Sequence, residues 1–309
     1  MKHSINIDEI GATAEKMAEA VSTCVHCGFC LPDCPTYRTL GAEADSPRGR
    51  IVLMKEVLEG KLQPSEASGH IDRCLGCLAC ETTCPSGVKY GELISPYRDF
   101  AEKTRKRNPA AKLRRRLLAS TLSSPRRFRT MAVAARIAKP LGKLLPKGLA
   151  GPLELLPGRI PKAAPLPAEN PAEGECRARV ALLAGCAQQV LAPGINAAAV
   201  ELLTRHGVEV VIPEGQQCCG ALAWHIGDGD RAAGHARGNL DAFAGEFDAI
   251  ITTAAGCGSG LKDYPLILAG EEEQPAAEEL AAKVIDVCAF LADLDPPAPP
   301  ALKRDEPLK

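Results

Sequence analysis

A chain of 309 residues is long enough for about two domains with real cores, and a formal net charge of −1 gives it no global pull toward nucleic acid. Fourteen cysteines would suggest disulfides in a small secreted protein, but these fall in metal-ligand spacings, and the opening stretch MKHSINIDEIGATAEKMAEA lacks the apolar core of a signal peptide. A reducing cytoplasm fits that usage, and the nearest approach to a membrane span, 131–150, is broken by Arg136, Lys139, Lys143 and Lys147.

Residues 8–22 carry Ile10, Ala14, Met17, Ala18 and Val21 on one stripe, which predicts an amphipathic helix. It leads into the run Cys24-x2-Cys27-x2-Cys30-x3-Cys34-Pro35. Next, Asp45-Ser46-Pro47-Arg48-Gly49-Arg50 reads as an N-cap with proline at the first helical position, and Ile51, Leu53, Met54, Val57 and Leu58 give a core face up to Gly60. A short helical stretch at 70–73 precedes a second run, Cys74-x2-Cys77-x2-Cys80-x3-Cys84-Pro85.

In each run three thiolates at i, i+3 and i+6 can wrap one face of a small inorganic cube. The fourth, turned away by its proline, ligates the other cluster. One [4Fe-4S] cluster is therefore expected on Cys24, Cys27, Cys30 and Cys84, and another on Cys74, Cys77, Cys80 and Cys34. Structural zinc competes, but it normally takes two separated Cys-x2-Cys pairs. Attachment of a c-type haem needs histidine after Cys27 or Cys77, and neither has it. Leu31, Leu75 and Leu78 are expected to shield the clusters, and His26 to face solvent.

Between residues 98 and 147, Lys103, Arg105, Lys106, Arg107, Lys112, Arg114, Arg115, Arg116, Arg126, Arg127 and Arg129 crowd a segment with almost no acid. This is either a docking surface for an acidic partner or anionic lipid headgroups, or a solvated helical connector. Nucleic acid fits less well, because no aromatic platform interleaves the charges. Proline and glycine recur from Pro140 to Pro171 and mark a linker.

Beyond Arg177 the pattern becomes α/β. Strands are predicted at 180–184, 208–212 and 249–253, with helices at 194–206 and up to about Phe243. Cysteine-bearing loops follow the strands, and they deliver Cys186, the Cys218-Cys219-Gly220 pair and Cys257 to the carboxyl ends where open α/β sheets bind ligands. Three readings stand for these four thiols: a third iron-sulfur cluster, a redox-active dithiol, or plain buried thiols. Gly220 relaxes the backbone beside a vicinal pair. Gly256-Cys257-Gly258-Ser259-Gly260 lacks the spacing of a dinucleotide loop. Trp224 and His225 are expected to shield the site, and Cys176 and Cys288 to be structural bystanders.

The fold class is thus α+β multidomain: an α-helical dicluster ferredoxin domain at 1–100, a basic helical segment and linker at 101–175, an α/β cysteine-rich domain at 176–294, and a proline-rich charged tail at 295–309. Together the two ferredoxin runs, Ala44 to Arg50, Cys80 to Gly87, Leu183-Ala184-Gly185-Cys186 and Cys218-Cys219-Gly220-Ala221-Leu222 resemble the iron-sulfur subunits of bacterial glycolate oxidases. Lactate-utilisation, anaerobic glycerol-3-phosphate dehydrogenase and heterodisulfide reductase subunits share the cysteine-rich module. The heterodisulfide reductase version ends in Cys-x-x-Cys, where this chain has Gly260. The family normally carries a second module, and here the tail comes first, as in a short form or a truncated product.

What the resemblance implies is an electron-transfer subunit. An FAD-bearing partner oxidises glycolate to glyoxylate, and this chain carries the electrons toward a quinone. It would sit in the cytoplasm or peripherally on the cytoplasmic face of the inner membrane. A related lactate or glycerol-3-phosphate dehydrogenase is the alternative, and a thiol-disulfide reductase acting at Cys218-Cys219 is the second. No flavin or nicotinamide fingerprint occurs in the chain, so no catalytic residue is assigned.

Overall fold

The computed structural model describes residues 1–139, 159–162 and 165–295. The expected linker from Pro140 lies largely outside the described residues, as does the tail beyond Asp295.

The N-terminal half is built of helices packed around one apolar core. Gly11, with φ +104°, splits the predicted first helix into Ile7–Ile10 and Ala14–Thr23. Met17 and Val21 of the second piece are wholly buried in a core that they share with Ile51, Met54, Leu93 and Tyr97. Helix Pro47–Leu58 starts as the sequence predicts: the Ser46 hydroxyl accepts the Gly49 N–H at 3.0 Å, and Pro47 occupies the first turn. Only glycine fits at 49, since a Cβ there would lie 2.0 Å from the Glu43 carbonyl oxygen. Helix Pro64–Arg73 is longer than predicted, because a Gln63–Glu66 capping box starts it upstream. Helix Gly91–Thr104 runs through residue 100, where the sequence places a domain boundary.

The basic segment folds as helices Pro109–Leu122 and Pro125–Ala138, each opened by a side-chain cap, Asn108 and Ser124, followed by proline. Its charge is partly spent internally. Arg105 and Arg107 pair with both Asp72 and Glu102, and the Arg115 guanidinium donates to the Ile226 carbonyl at 2.6 Å. Arg114 and Arg116 stay exposed beside the apolar Leu113 and Leu117.

The C-terminal half is a five-stranded sheet flanked by helices. Strands β1 (Glu169–Asn170), β2 (Ala178–Leu182), β3 (Val208–Val211), β4 (Ala249–Thr252) and β5 (Val284–Asp286) lie in the order β1-β3-β2-β4-β5. All pairings are parallel except β1 on β3. β4 is buried along its whole length, as a strand covered on both faces must be. After β2 the chain goes to one side for β3 and to the other for β4. The strand order therefore switches at β2, and the carboxyl ends of β2 and β4 border a crevice.

The two halves meet without a gap. Gly227, at φ +74°, lies against helix Gly91–Thr104 so closely that a Cβ would sit 2.5 Å from the Arg98 carbonyl oxygen. The Gly229 N–H donates to Asp99 Oδ1 at 3.0 Å beside it. Gly227→Ala combines a backbone clash with a left-handed conformation, and a stability loss of about 1–3 kcal/mol is expected in denaturant unfolding; an unchanged midpoint would show that the joint yields.

Candidate metal centres

In the first run the ligands lie on turns and helix Pro35–Leu40 opens at the proline after Cys34, whereas in the second a short helix, Ala79–Thr82, carries Cys80. His26 and Leu78 adopt left-handed conformations, φ 58° and 55°, and Gly28 and Gly76 do so at φ 88° and 65°. These turns are what bring thiols three residues apart to one side. Two adjoining cavities result. Cys24, Cys27, Cys30 and Cys84 all line the first. Cys34, Cys74, Cys77 and Cys80 all line the second, and Cys80 stands on the wall between the two. The fourth cysteine of each run thus lines the cavity that holds the other run's first three.

Among the described residues, no three Cys, His, Asp or Glu side chains are gathered closely enough for one metal ion. A tetrahedral zinc would need Zn–S bonds of about 2.3 Å to a common centre. The thiols instead surround a space, which fits a multi-iron core.

The walls supply hydrogen-bond donors to sulfur. Arg50 Nη1 is 3.8 Å from Cys34 Sγ, the Tyr90 hydroxyl is 3.8 Å from Cys74 Sγ, and the Val88 N–H is 3.4 Å from Cys84 Sγ. Burial, followed by the neighbouring sulfurs of Cys74, Cys30 and Cys77, pushes the Cys80 thiol well above its ordinary range. Burial also raises the thiols of Cys24 and Cys30, despite backbone N–H donors that act the other way. Thiolates crowded in this manner repel one another, and bound iron removes that cost. Leu31 and Leu78 are half-buried at the site, but Leu75 is 66% exposed at the rim and shields little. His26 faces solvent as expected, with its carbonyl accepting from Arg48 Nη1 at 3.2 Å.

The second constellation forms where the sheet order switches. Cys186 follows β2, Cys218 and Cys219 follow β3, and Cys257 follows β4. Cys257 was expected on a loop but lies inside helix Ala255–Lys262. The Cys186 and Cys218 sulfurs are 3.3 Å apart. A hydrogen bond from Cys186 favours the thiolate of Cys218 and raises Cys186 itself, and Cys219 and Cys257 form a second such pair with Cys257 lowered. Thiols paired in this way in one cleft, with Cys218 and Cys257 shifted toward the thiolate, are a donor set suited to soft metal. Gly220, at φ +80°, opens helix Ala221–His225 directly after the vicinal pair. At Gly260, where the heterodisulfide reductase version places cysteine, a Cβ would come within 2.7 Å of the Ala221 methyl. The packing has no room for a fifth thiol.

Several residues of this site carry no motif and escape a sequence reading. Asn239, wholly buried, donates to the Cys218 carbonyl at 3.1 Å and to the Tyr264 hydroxyl at 2.7 Å, and accepts the Gln217 N–H at 2.7 Å. Its side chain fixes the loop that presents the vicinal pair. Trp224 is buried among Ala223, Ala232, Leu266 and Ile267. His225 turns toward the N-terminal half. Cys176 and Cys288 are exposed and belong to neither site.

The 4Fe-4S dicluster domain family matches residues 20–88, and the cysteine-rich domain family matches residues 180–262. Over 285 residues the chain is 37% identical to the glycolate oxidase iron-sulfur subunit of Escherichia coli (strain K12), a match covering 89% of this chain and 67% of that protein. The chain belongs to the glycolate oxidase iron-sulfur subunit family. The probable glycolate oxidase iron-sulfur subunit of Bacillus subtilis (strain 168) is 35% identical over 91% of this chain and 68% of its own length. Lactate utilization protein A of Geobacillus kaustophilus (strain HTA426) is 36% identical, over 38% of this chain and 48% of its own. No solved structure matches the chain. Membership of the glycolate oxidase iron-sulfur subunit family brings with it iron-sulfur clusters and an oxidoreductase setting, and it agrees with a helical dicluster half followed by a mixed-sheet, cysteine-rich half.

Proposed function

We propose that this chain is the electron-carrying, non-flavin subunit of a glycolate dehydrogenase complex, with no substrate oxidation of its own. The observation that carries this is the pair of adjoining cavities, each lined by one crossed tetrad of cysteines, in a chain of the glycolate oxidase iron-sulfur subunit family. Cys24, Cys27, Cys30 and Cys84 would hold one [4Fe-4S] cluster, and Cys34, Cys74, Cys77 and Cys80 the other. Cys186, Cys218, Cys219 and Cys257 would hold a third iron-sulfur centre.

When bound, each cluster takes up and gives back one electron at a time, whereas a 2-hydroxy acid releases two at once, usually as hydride to a flavin. The chain's own residues bury part of each ligand set, leaving Cys27 and Cys77 at the rim, orient the ligands and present N–H and O–H donors to sulfur, which sets the potentials. An FAD-containing partner subunit and a quinone acceptor complete this reading. The exposed Leu113 and Leu117, interleaved with Arg114 and Arg116, favour peripheral contact with the cytoplasmic face of the inner membrane.

The test is reconstitution with the flavin subunits of the complex. Glycolate-dependent reduction of a quinone analogue should require this chain, and the chain alone should oxidise no glycolate and reduce no disulfide. Equal quinone reduction without the chain would refute the proposal, and disulfide turnover by the chain alone would move the assignment to a reductase acting at Cys218-Cys219.

A further inference from the structure

The loop that carries Cys74 and Cys77 is held against the cysteine-rich half by two side chains that no motif marks. Arg98, buried in helix Gly91–Thr104, donates to the Cys74 carbonyl at 2.6 Å and the Ile71 carbonyl at 3.0 Å on one side, and to the His225 carbonyl at 2.9 Å on the other. The His225 ring lies over Gly76, midway between the two ligands: a Cβ built at Gly76 would be 3.8 Å from His225 Nδ1. That nitrogen is buried and has no hydrogen-bond partner among the described residues. A buried imidazole nitrogen left unpaired costs free energy, and Cys74, Leu75 and Cys77, which flank Gly76, line the sulfur-rich cavity from which an acceptor would come.

The same side of the second run faces the cysteine-rich half at another point. Asp263, just past the helix of Cys257, has its carboxyl pushed up to about 7 by burial and then by the charges of Glu81 and Glu92. Glu81 sits between Cys80 and Cys84. Both runs keep an exposed rim, Val25 and Phe29 around Cys27 and Leu75 beside Cys77; what sets the second apart is the contact of its Gly76 turn with His225 and of its Cys74 carbonyl with Arg98.

Resting on the proposed function above, we infer that the cluster of Cys34, Cys74, Cys77 and Cys80 is the one coupled to the cysteine-rich domain, with His225 as the positioning residue that donates to its sulfur, while the cluster of Cys24, Cys27, Cys30 and Cys84 faces the outside partner. The order along the chain of centres is then outer cluster, inner cluster, cysteine-rich site. Helix Ala221–His225, which begins right after Cys218-Cys219-Gly220, spans the step between the last two.

The test is a redox titration followed by EPR on the anaerobic full-length protein, with the two ferredoxin signals assigned beforehand from Cys27→Ser and Cys77→Ser. In His225→Phe, the inner cluster should become harder to reduce. One lost donor to sulfur, about 1.4 kcal/mol, lowers its reduced-to-oxidised ratio at fixed potential about tenfold, or about 59 mV for one electron. The outer cluster should not move, and His225→Gln, which keeps a donor, should restore most of the shift. If His225→Phe lowers the iron content, His225→Gln against wild type carries the comparison, with both potentials expected near wild type. A shift confined to the outer cluster, equal shifts in both, or no shift with full iron would overturn the inference. A wild-type protein lacking both signals would instead overturn the function on which it rests.

Discussion

Cys34→Ser is expected to remove the cluster whose other ligands lie in the second run, and Cys84→Ser the cluster of the first. Each variant should lose about four irons and four acid-labile sulfides per chain. The identity of what is lost matters more than the amount. The EPR signal missing from Cys34→Ser should be the one missing from Cys77→Ser, and Cys84→Ser should likewise match Cys27→Ser. The reason is spatial, since Cys34 shares a cavity with Cys74, Cys77 and Cys80, and Cys84 shares one with Cys24, Cys27 and Cys30. Should Cys34→Ser instead match Cys27→Ser, each run would be a self-contained site and the crossing would be wrong.

The second large effect is on stability. Asp45 is buried, and its carboxylate is shared by Arg50 at 3.4 Å, Arg73 at 2.8 Å and His70 at 3.2 Å. The Arg50 side chain is only 1% exposed. Asp45→Asn leaves that guanidinium buried without its counter-charge, and a loss of about 3–5 kcal/mol is expected in anaerobic denaturant unfolding. Iron should be lost with it from the inner site, because Arg50 also reaches Cys34 Sγ. The pH dependence follows from the direction of the Asp45 shift. Burial pushes its carboxyl up, but the hydrogen bond from His70 and the charges of His70, Arg73 and Arg50 together hold it below the ordinary value of 3.8. A folded pKa below the unfolded one means that this stabilisation is complete above the unfolded value and is lost as pH falls through the folded one. The gap between wild type and Asp45→Asn should therefore be constant near neutrality and close only in acid. A gap already closing between pH 7 and 6 would contradict the lowered Asp45 carboxyl.

What could be read from the sequence was whatever local rules decide. Cysteine spacing grouped the same eight cysteines that line the two adjoining cavities, and the Ser46-Pro47 cap placed the start of its helix to the residue. Short apolar runs located β2, β3 and β4, and the strand ends placed Cys186, Cys218 and Cys219. β5 was missed because three residues directly after a helix carry no period of their own, and β1 because it is two residues inside a proline-rich stretch. Gly256-Cys257-Gly258 suggested a loop, but tertiary packing of helix Ala255–Lys262 overrides the low helix propensity of its glycines. The basic segment misled in another way. Asp72, far away in sequence, supplies acid to Arg105 and Arg107 that a local count of charges cannot see. Asn239, Arg50 and Arg98 act through buried hydrogen bonds between distant segments, for which a single chain offers no local signature.

The contact of Gly227 with the Arg98 carbonyl sets how the molecule can work over time. With backbone against backbone at Gly227 and with Arg98, Asp99 and Arg115 bonding across beside it, the two halves form a tight junction. Electrons crossing it need no swing of one half over the other, so the pace of that crossing is governed by the medium between the centres and is indifferent to solvent viscosity. Any gating by motion would then belong to the encounter with the outside partner, at the exposed rim around Val25, Cys27 and Phe29.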